Sequence, residues 1–123
     1  MDKKSAWIYC RIDALEDTQG ALKGQYEKLE TYAAQMGFAI LGSSQDLGSG
    51  LNLDRPGLHA VLESAKAGCF QVLLVDSMSR IGRNMSKTMN FIQTISDCGI
   101  SIYSPMEGEV KQSDFTMPPF QLR

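Results

Sequence analysis

The chain has 123 residues, 43% of them hydrophobic and 21% charged, the proportions of a single globular domain large enough to bury a core. Its net charge of -2 and pI near 5.3 exclude a general attraction to nucleic acid or to an anionic membrane, so either role must come from locally clustered arginines. No run is long and apolar enough for a membrane span, no signal peptide precedes the first strand, and a cytoplasmic location is expected.

In chain order, Ala6 to Ile12 is apolar and rich in strand formers and reads as a central strand, followed by a polar turn from Asp13 to Thr18. Gln19 to Met36 places Leu22, Tyr26, Leu29, Ala33 and Met36 at helical spacing, and Gly37 stops the helix. Phe38 to Ser44 reads as a second strand, and the glycine-containing stretch from Gln45 to Arg55 as a loop. Pro56 opens a helix through Leu58, Val61, Leu62 and Ala65 that Gly68 ends. The lone histidine, His59, has no partner at metal-ligand spacing and reads as solvated.

Gln71 to Val75 has the length and branching of a buried strand, Met85, Met89, Ile92 and Ile95 mark a third helix that closes at Cys98-Gly99, and Ile100 to Ser104 forms a fourth strand. From Met106 onward there is no periodicity, so the division expected is a domain over 1–110 and an irregular tail over 111–123. Three widely spaced cysteines, Cys10, Cys69 and Cys98, suit buried thiols better than a metal site or a disulfide. Regular alternation of strand and helix implies an α/β fold: three layers, a mostly parallel four-stranded sheet and helices on both faces.

In such sheets ligands bind beyond the carboxyl ends of the strands. The first strand delivers Arg11 and Asp13 there, the third delivers Asp76, Ser79, Arg80 and Arg83, and the glycine-containing loop delivers Ser49 and Arg55. Arg80 and Arg83 share one face if a helix has already begun at that point. Four arginines converging on one rim suit a phosphate, because guanidiniums present paired donors and keep their charge. The competing reading is structural: Arg11 and Arg80 neutralised by Asp13 and Asp76.

Tyr9-Cys10-Arg11-Ile12-Asp13, Gln25 with Leu29 and Tyr32-Ala33, Asp46-Leu47-Gly48-Ser49-Gly50 with Asp54-Arg55-Pro56-Gly57-Leu58, and Ser79-Arg80-Ile81-Gly82-Arg83 together resemble the catalytic domain of serine recombinases, the resolvase and invertase family. The resemblance runs from about Ala6 to Val110. It implies a domain that cuts DNA through a serine hydroxyl, holds it by a phosphoserine link and rejoins it after strand exchange, with no metal and no cofactor. It places Arg11, Arg55, Arg80 and Arg83 on the family's active-site arginines, and Gln25 and Ser49 near its pocket.

Two positions depart from the pattern: Asp13 stands where the family has its nucleophilic serine, and Ser79 precedes Arg80 where the family has aspartate. Exchange of one alkoxide for another on phosphorus is nearly balanced, whereas a carboxylate, with a reference pKa of about 4, is a far better leaving group than a sugar alkoxide. An acyl phosphate at Asp13 therefore collapses back to intact DNA. Two like charges about 4 Å apart also repel by about 4 kcal/mol at an effective dielectric near 20. Asp13 is expected to abolish cleavage by the family mechanism, and the other course open to the chain is Ser79 as a relocated nucleophile assisted by Asp13.

Past the fourth strand, the sequence to Arg123 carries no helix-turn-helix or zinc spacing. DNA is therefore expected to be bound weakly, or through a DNA-binding module outside this sequence, which is either a free-standing domain or part of a longer protein. The resemblance further implies a homo-oligomer, or pairing with another recombinase subunit, and no membrane. The alternative function is an α/β binding module whose arginines hold a phosphorylated small ligand or another anion.

Overall fold

A computed structural model describes residues 3–12, 20–48 and 53–110; Asp13 and Ser49 lie outside the described residues. The elements are β1 (Ser5–Ile12), α1 (Ala21–Met36), β2 (Ala39–Leu47), α2 (Pro56–Lys66), β3 (Val72–Leu74), α3 (Met78–Ile81), α4 (Met85–Asp97), β4 (Ser101–Ser104) and β5 (Gly108–Val110). They form one sheet in the order β2-β1-β3-β4-β5, parallel except for β5.

Two apolar cores confirm the three-layer arrangement. Ala6, Ile8 and Cys10 of β1 and Val72 and Leu74 of β3 meet Leu29 and Ala33 of α1 on one face. Tyr9, Leu73 and Ile102 point the other way, onto Leu58, Val61 and Ala65 of α2 and Phe91, Ile92 and Ile95 of α4. The period of two in a strand sends alternate β1 side chains to opposite layers, which is why this strand is apolar almost throughout. Helix α1 ends in a Schellman motif: Gly37 lies at φ +78°, and Phe38 N donates to Ala33 O at 2.9 Å. The same backward bond closes α2 (Cys69 N to Ser64 O) and α4 (Ile100 N to Ile95 O).

Several details differ from the sequence reading. Strand β2 continues through Gln45, Asp46 and Leu47, because these residues pair with Cys10, Arg11 and Ile12. A fifth strand, at the end of the expected 1–110 domain and in the stretch after Met106 that shows no periodicity, pairs antiparallel with β4. It folds back because Ser104 Oγ donates to a Glu107 carboxylate oxygen and accepts from Glu107 N at 2.8 Å, making a tight turn. The arginine segment holds the separate four-residue helix α3, and Gly82 ends it before Arg83, so Arg80 and Arg83 do not share a helical face.

The buried face of α4 is Thr88, Phe91, Ile92 and Ile95, while Met85 is exposed. Of the cysteines, Cys10 is buried, Cys98 partly so, and Cys69 exposed. His59 is exposed, as expected of a solvated histidine, with Nε2 2.8 Å from Asp54 Oδ1. Among the described residues no cluster of histidine, cysteine or acidic side chains could hold a metal ion, and no helix is long and apolar enough to cross a membrane.

Candidate active site

Arg11 and Arg55 reach one short piece of backbone, residues 79–81, which carries Arg80 and which Arg83 follows. Arg11, next to last in β1, is completely buried. It donates from Nε to Arg80 O at 3.0 Å, from Nη2 to Ser79 O at 3.0 Å, and from Nη1 to Gly48 O at 2.6 Å. Arg55, at the N-cap of α2 and 7% exposed, donates from Nη2 to Ile81 O at 2.9 Å. Two guanidiniums thus take three successive carbonyls, 79, 80 and 81. The last carbonyls of any helix lack intrahelical partners and carry its negative dipole end, so cationic donors satisfy both needs at once. A four-residue helix could not persist on its own backbone bonds; this clamp holds α3 in place.

Arg55 is itself oriented by a buried chain of hydrogen bonds. Its Nη1 donates to the Tyr9 hydroxyl at 2.8 Å, and that hydroxyl donates to Asp46 Oδ2 at 2.7 Å. Asp46 accepts from Gly57 N at 2.7 Å and Leu58 N at 3.1 Å, so a carboxylate on β2 caps the first turn of α2. Gly57 makes this approach possible, since a Cβ there would lie 2.6 Å from Asp46 Oδ2 and 2.7 Å from Gln45 O. Burial, and then the bond to Asp46, push the Tyr9 hydroxyl well above the ordinary tyrosine range and keep it a donor.

Gln25, buried on α1, completes the strand end. Its Oε1 accepts from Arg11 N at 3.0 Å and its Nε2 donates to Arg11 O at 3.3 Å, the pattern a neighbouring strand would supply. Its amide is committed to the β1 backbone.

The side chains that reach solvent are carried on the clamped segment. Ser79 is exposed, its Oγ 2.8 Å from Ser77 Oγ. Arg83 is exposed, and the Arg80 side chain is 21% exposed with Nε 3.9 Å from Asp76 Oδ2. Asp76 Oδ1 also lies 2.8 Å from Lys28 Nζ of α1, so the Asp76–Arg80 pair of the structural reading is present but loose and shared. Below it, burial and the Asp76 charge push the Cys10 thiol up to about 12, with Arg80 opposing.

Tyr9 and Asp46 were not among the site residues read from sequence. The strand period offered a signal for Tyr9, which shares a strand face with Arg11. Asp46 was hidden because its stretch reads as loop.

The domain is a mostly parallel α/β sheet with Arg11 buried at the carboxyl end of β1. Its sequence matches the family described as "Resolvase, N terminal domain" over residues 6–119, and the chain belongs to that family, as a resolvase-like serine recombinase catalytic domain. Among solved structures it resembles the N-terminal catalytic domain of TP901-1 integrase, with 24% identity and a TM-score of 0.77 over 85% of this chain and 79% of that one. The C-terminal catalytic domain of ISC1926 TnpA, an IS607-like serine recombinase, matches with 26% identity and a TM-score of 0.75 over 81% and 68% of the two chains. A resolvase family site-specific recombinase from Streptococcus pneumoniae matches with 21% identity and a TM-score of 0.73 over 86% and 74%.

Proposed function

We propose that this chain is a recombinase domain that retains the phosphate-facing end of the fold and has given up strand cleavage. The observation that carries the reading is the division among the arginines. Arg11 and Arg55 are buried against the carbonyls of residues 79–81, whereas Arg80, on the segment so held, is partly exposed and Arg83, just beyond it, is exposed. A backbone phosphate is met by the more exposed pair, whose guanidiniums keep their charge at any working pH. Ser49 completes the proposed phosphate-contacting set.

Asp13 at the nucleophile position brings a negative charge to the scissile phosphate and a leaving group too good to hold it. The domain therefore docks on DNA, weakly by itself, and contributes to recombination as an uncleaving subunit in an assembly with its own copies or with a cleaving recombinase.

The test is covalent capture on DNA. The chain and Asp13→Ser are incubated with a pool of duplexes randomised over their central base pairs, quenched in denaturant, and resolved for a protein–DNA adduct. The expected result is none for the native chain and an adduct for Asp13→Ser. An adduct formed by the native chain overturns the proposal, and its loss in Ser79→Ala would assign the chemistry to Ser79.

A further inference from the structure

Asp76 lies between the end of β3 and the start of α3, and its carboxylate is shared by two cations from different elements. Its Oδ1 is 2.8 Å from Lys28 Nζ of α1, and its Oδ2 is 3.9 Å from Arg80 Nε, four residues further on. The Asp76 and Arg80 side chains are 20% and 21% exposed, whereas that of Lys28 is 55% exposed. The buried Cys10 thiol feels both of the less exposed charges, Asp76 raising it and Arg80 lowering it, which sets the group on the α1 side of the strand end.

The two contacts are unequal. At 2.8 Å the ammonium makes a charge-assisted hydrogen bond of the usual length, while 3.9 Å leaves the guanidinium nitrogen a contact of charge alone. The backbone beneath Arg80 is fixed: its carbonyl oxygen accepts from Arg11 Nε at 3.0 Å, and those of Ser79 and Ile81 accept from Arg11 and Arg55. Exchange of partners at Arg80 is therefore a matter of side-chain rotation on a rigid frame.

We propose that Asp76 is a positioning residue that holds Arg80 in reserve, and that a DNA phosphate draws the guanidinium away while Lys28 stays behind as the carboxylate's counter-charge. The inference rests on the reading of Arg80 as a phosphate contact. A carboxylate four-fifths buried is costly to leave without a cation, and Lys28 removes that obstacle to the departure of Arg80. A phosphate offers the guanidinium full charge-assisted hydrogen bonds in place of a contact at 3.9 Å. The exchange is favourable but not free, because the attraction to Asp76 has to be given up first. Asp76 thus lowers the affinity for DNA, and Lys28, by competing for the same carboxylate, limits how far.

The test is the affinity of the full 123-residue chain for a fluorescein-labelled pool of duplexes randomised over their central base pairs. It is read by anisotropy at one fixed, low salt concentration, with the folding of each variant checked by circular dichroism. Arg80→Gln is expected to weaken binding about tenfold, the scale of a lost hydrogen bond between charged groups. Asp76→Asn keeps the shape of the side chain and is expected to tighten binding about threefold, the scale of a partly exposed ion pair. In the Arg80→Gln chain the same change is expected to leave binding as it was, since no guanidinium remains to be released. Mere loss of negative charge near DNA tightens both chains alike, so an equal gain in the two, or no gain in either, overturns the proposal and leaves Arg80 as a phosphate contact. Binding that is the same with and without Arg80 overturns that reading, and the proposal with it. Should Asp76→Asn unfold, Lys28→Gln at its half-exposed position on α1 carries the test. It leaves Asp76 to Arg80, and is expected to weaken binding about threefold more in the native chain than in the Arg80→Gln chain; an equal loss in both overturns the proposal.

Discussion

Replacing Arg11 by lysine separates the clamp from a direct phosphate contact. Lysine keeps the charge but gathers its donors at one point, whereas the Arg11 guanidinium reaches Gly48 O, Ser79 O and Arg80 O from three different nitrogens. At least two of these bonds are then lost in a fully buried site. Hydrogen bonds to charged groups contribute about 1.5–3 kcal/mol each, so Arg11→Lys is expected to destabilise the fold by about 3–6 kcal/mol. That is a large fraction of the roughly 5–15 kcal/mol that holds a domain together, and corresponds to a fall in Tm of roughly 10 °C or more. Urea unfolding followed by the fluorescence of Trp7, the only tryptophan, measures it. If Arg11 serves chiefly to meet a phosphate, lysine leaves the free protein as stable as before; a loss below about 0.5 kcal/mol, within the range of ordinary surface substitutions, would falsify the clamp.

Gly57→Ala forces a methyl group into Asp46 and the Gln45 carbonyl, and so pushes the carboxylate off the first turn of α2. A cap lost together with its buried bonds predicts destabilisation of about 2–3 kcal/mol by the same urea titration, and an unchanged midpoint refutes the role given to Asp46. Alkaline pH is expected to unfold the domain progressively. The Cys10 thiol, raised from 9.0 to about 12, and the Tyr9 hydroxyl, also raised, are both neutral in the fold. The unfolded chain therefore sheds these protons first, and stability present below about pH 9 is lost as pH climbs through the folded values, by up to about 1.4 kcal/mol per pH unit for each group. Urea midpoints measured from pH 8 to 11 should fall, and Cys10→Ala should flatten the first part of that fall; a flat profile in the native chain contradicts the burial of these groups.

Much of this protein is legible in its local sequence. Periodicity located the long helices, and Gly37, Gly68 and Gly99 marked their ends, because a left-handed residue after a helix is a local requirement that glycine meets with least strain. The apolar stretch of β1 announced a strand buried on both faces, and the ordered motifs around Arg11, Arg55 and Arg80 pointed to the recombinase family. What stayed hidden depended on partners distant in the chain. Gln45 to Leu47 read as loop because their strand character comes from pairing with β1, and β5 escaped notice because Ser104 and Glu107 make its turn. Sequence showed four arginines near one rim but not their division of labour. A guanidinium that binds a phosphate and one that holds a carbonyl are the same residue until the fold decides what lies within 3 Å, and burial of Arg11 and Arg55 beneath residues 79–81 is a decision of tertiary structure alone.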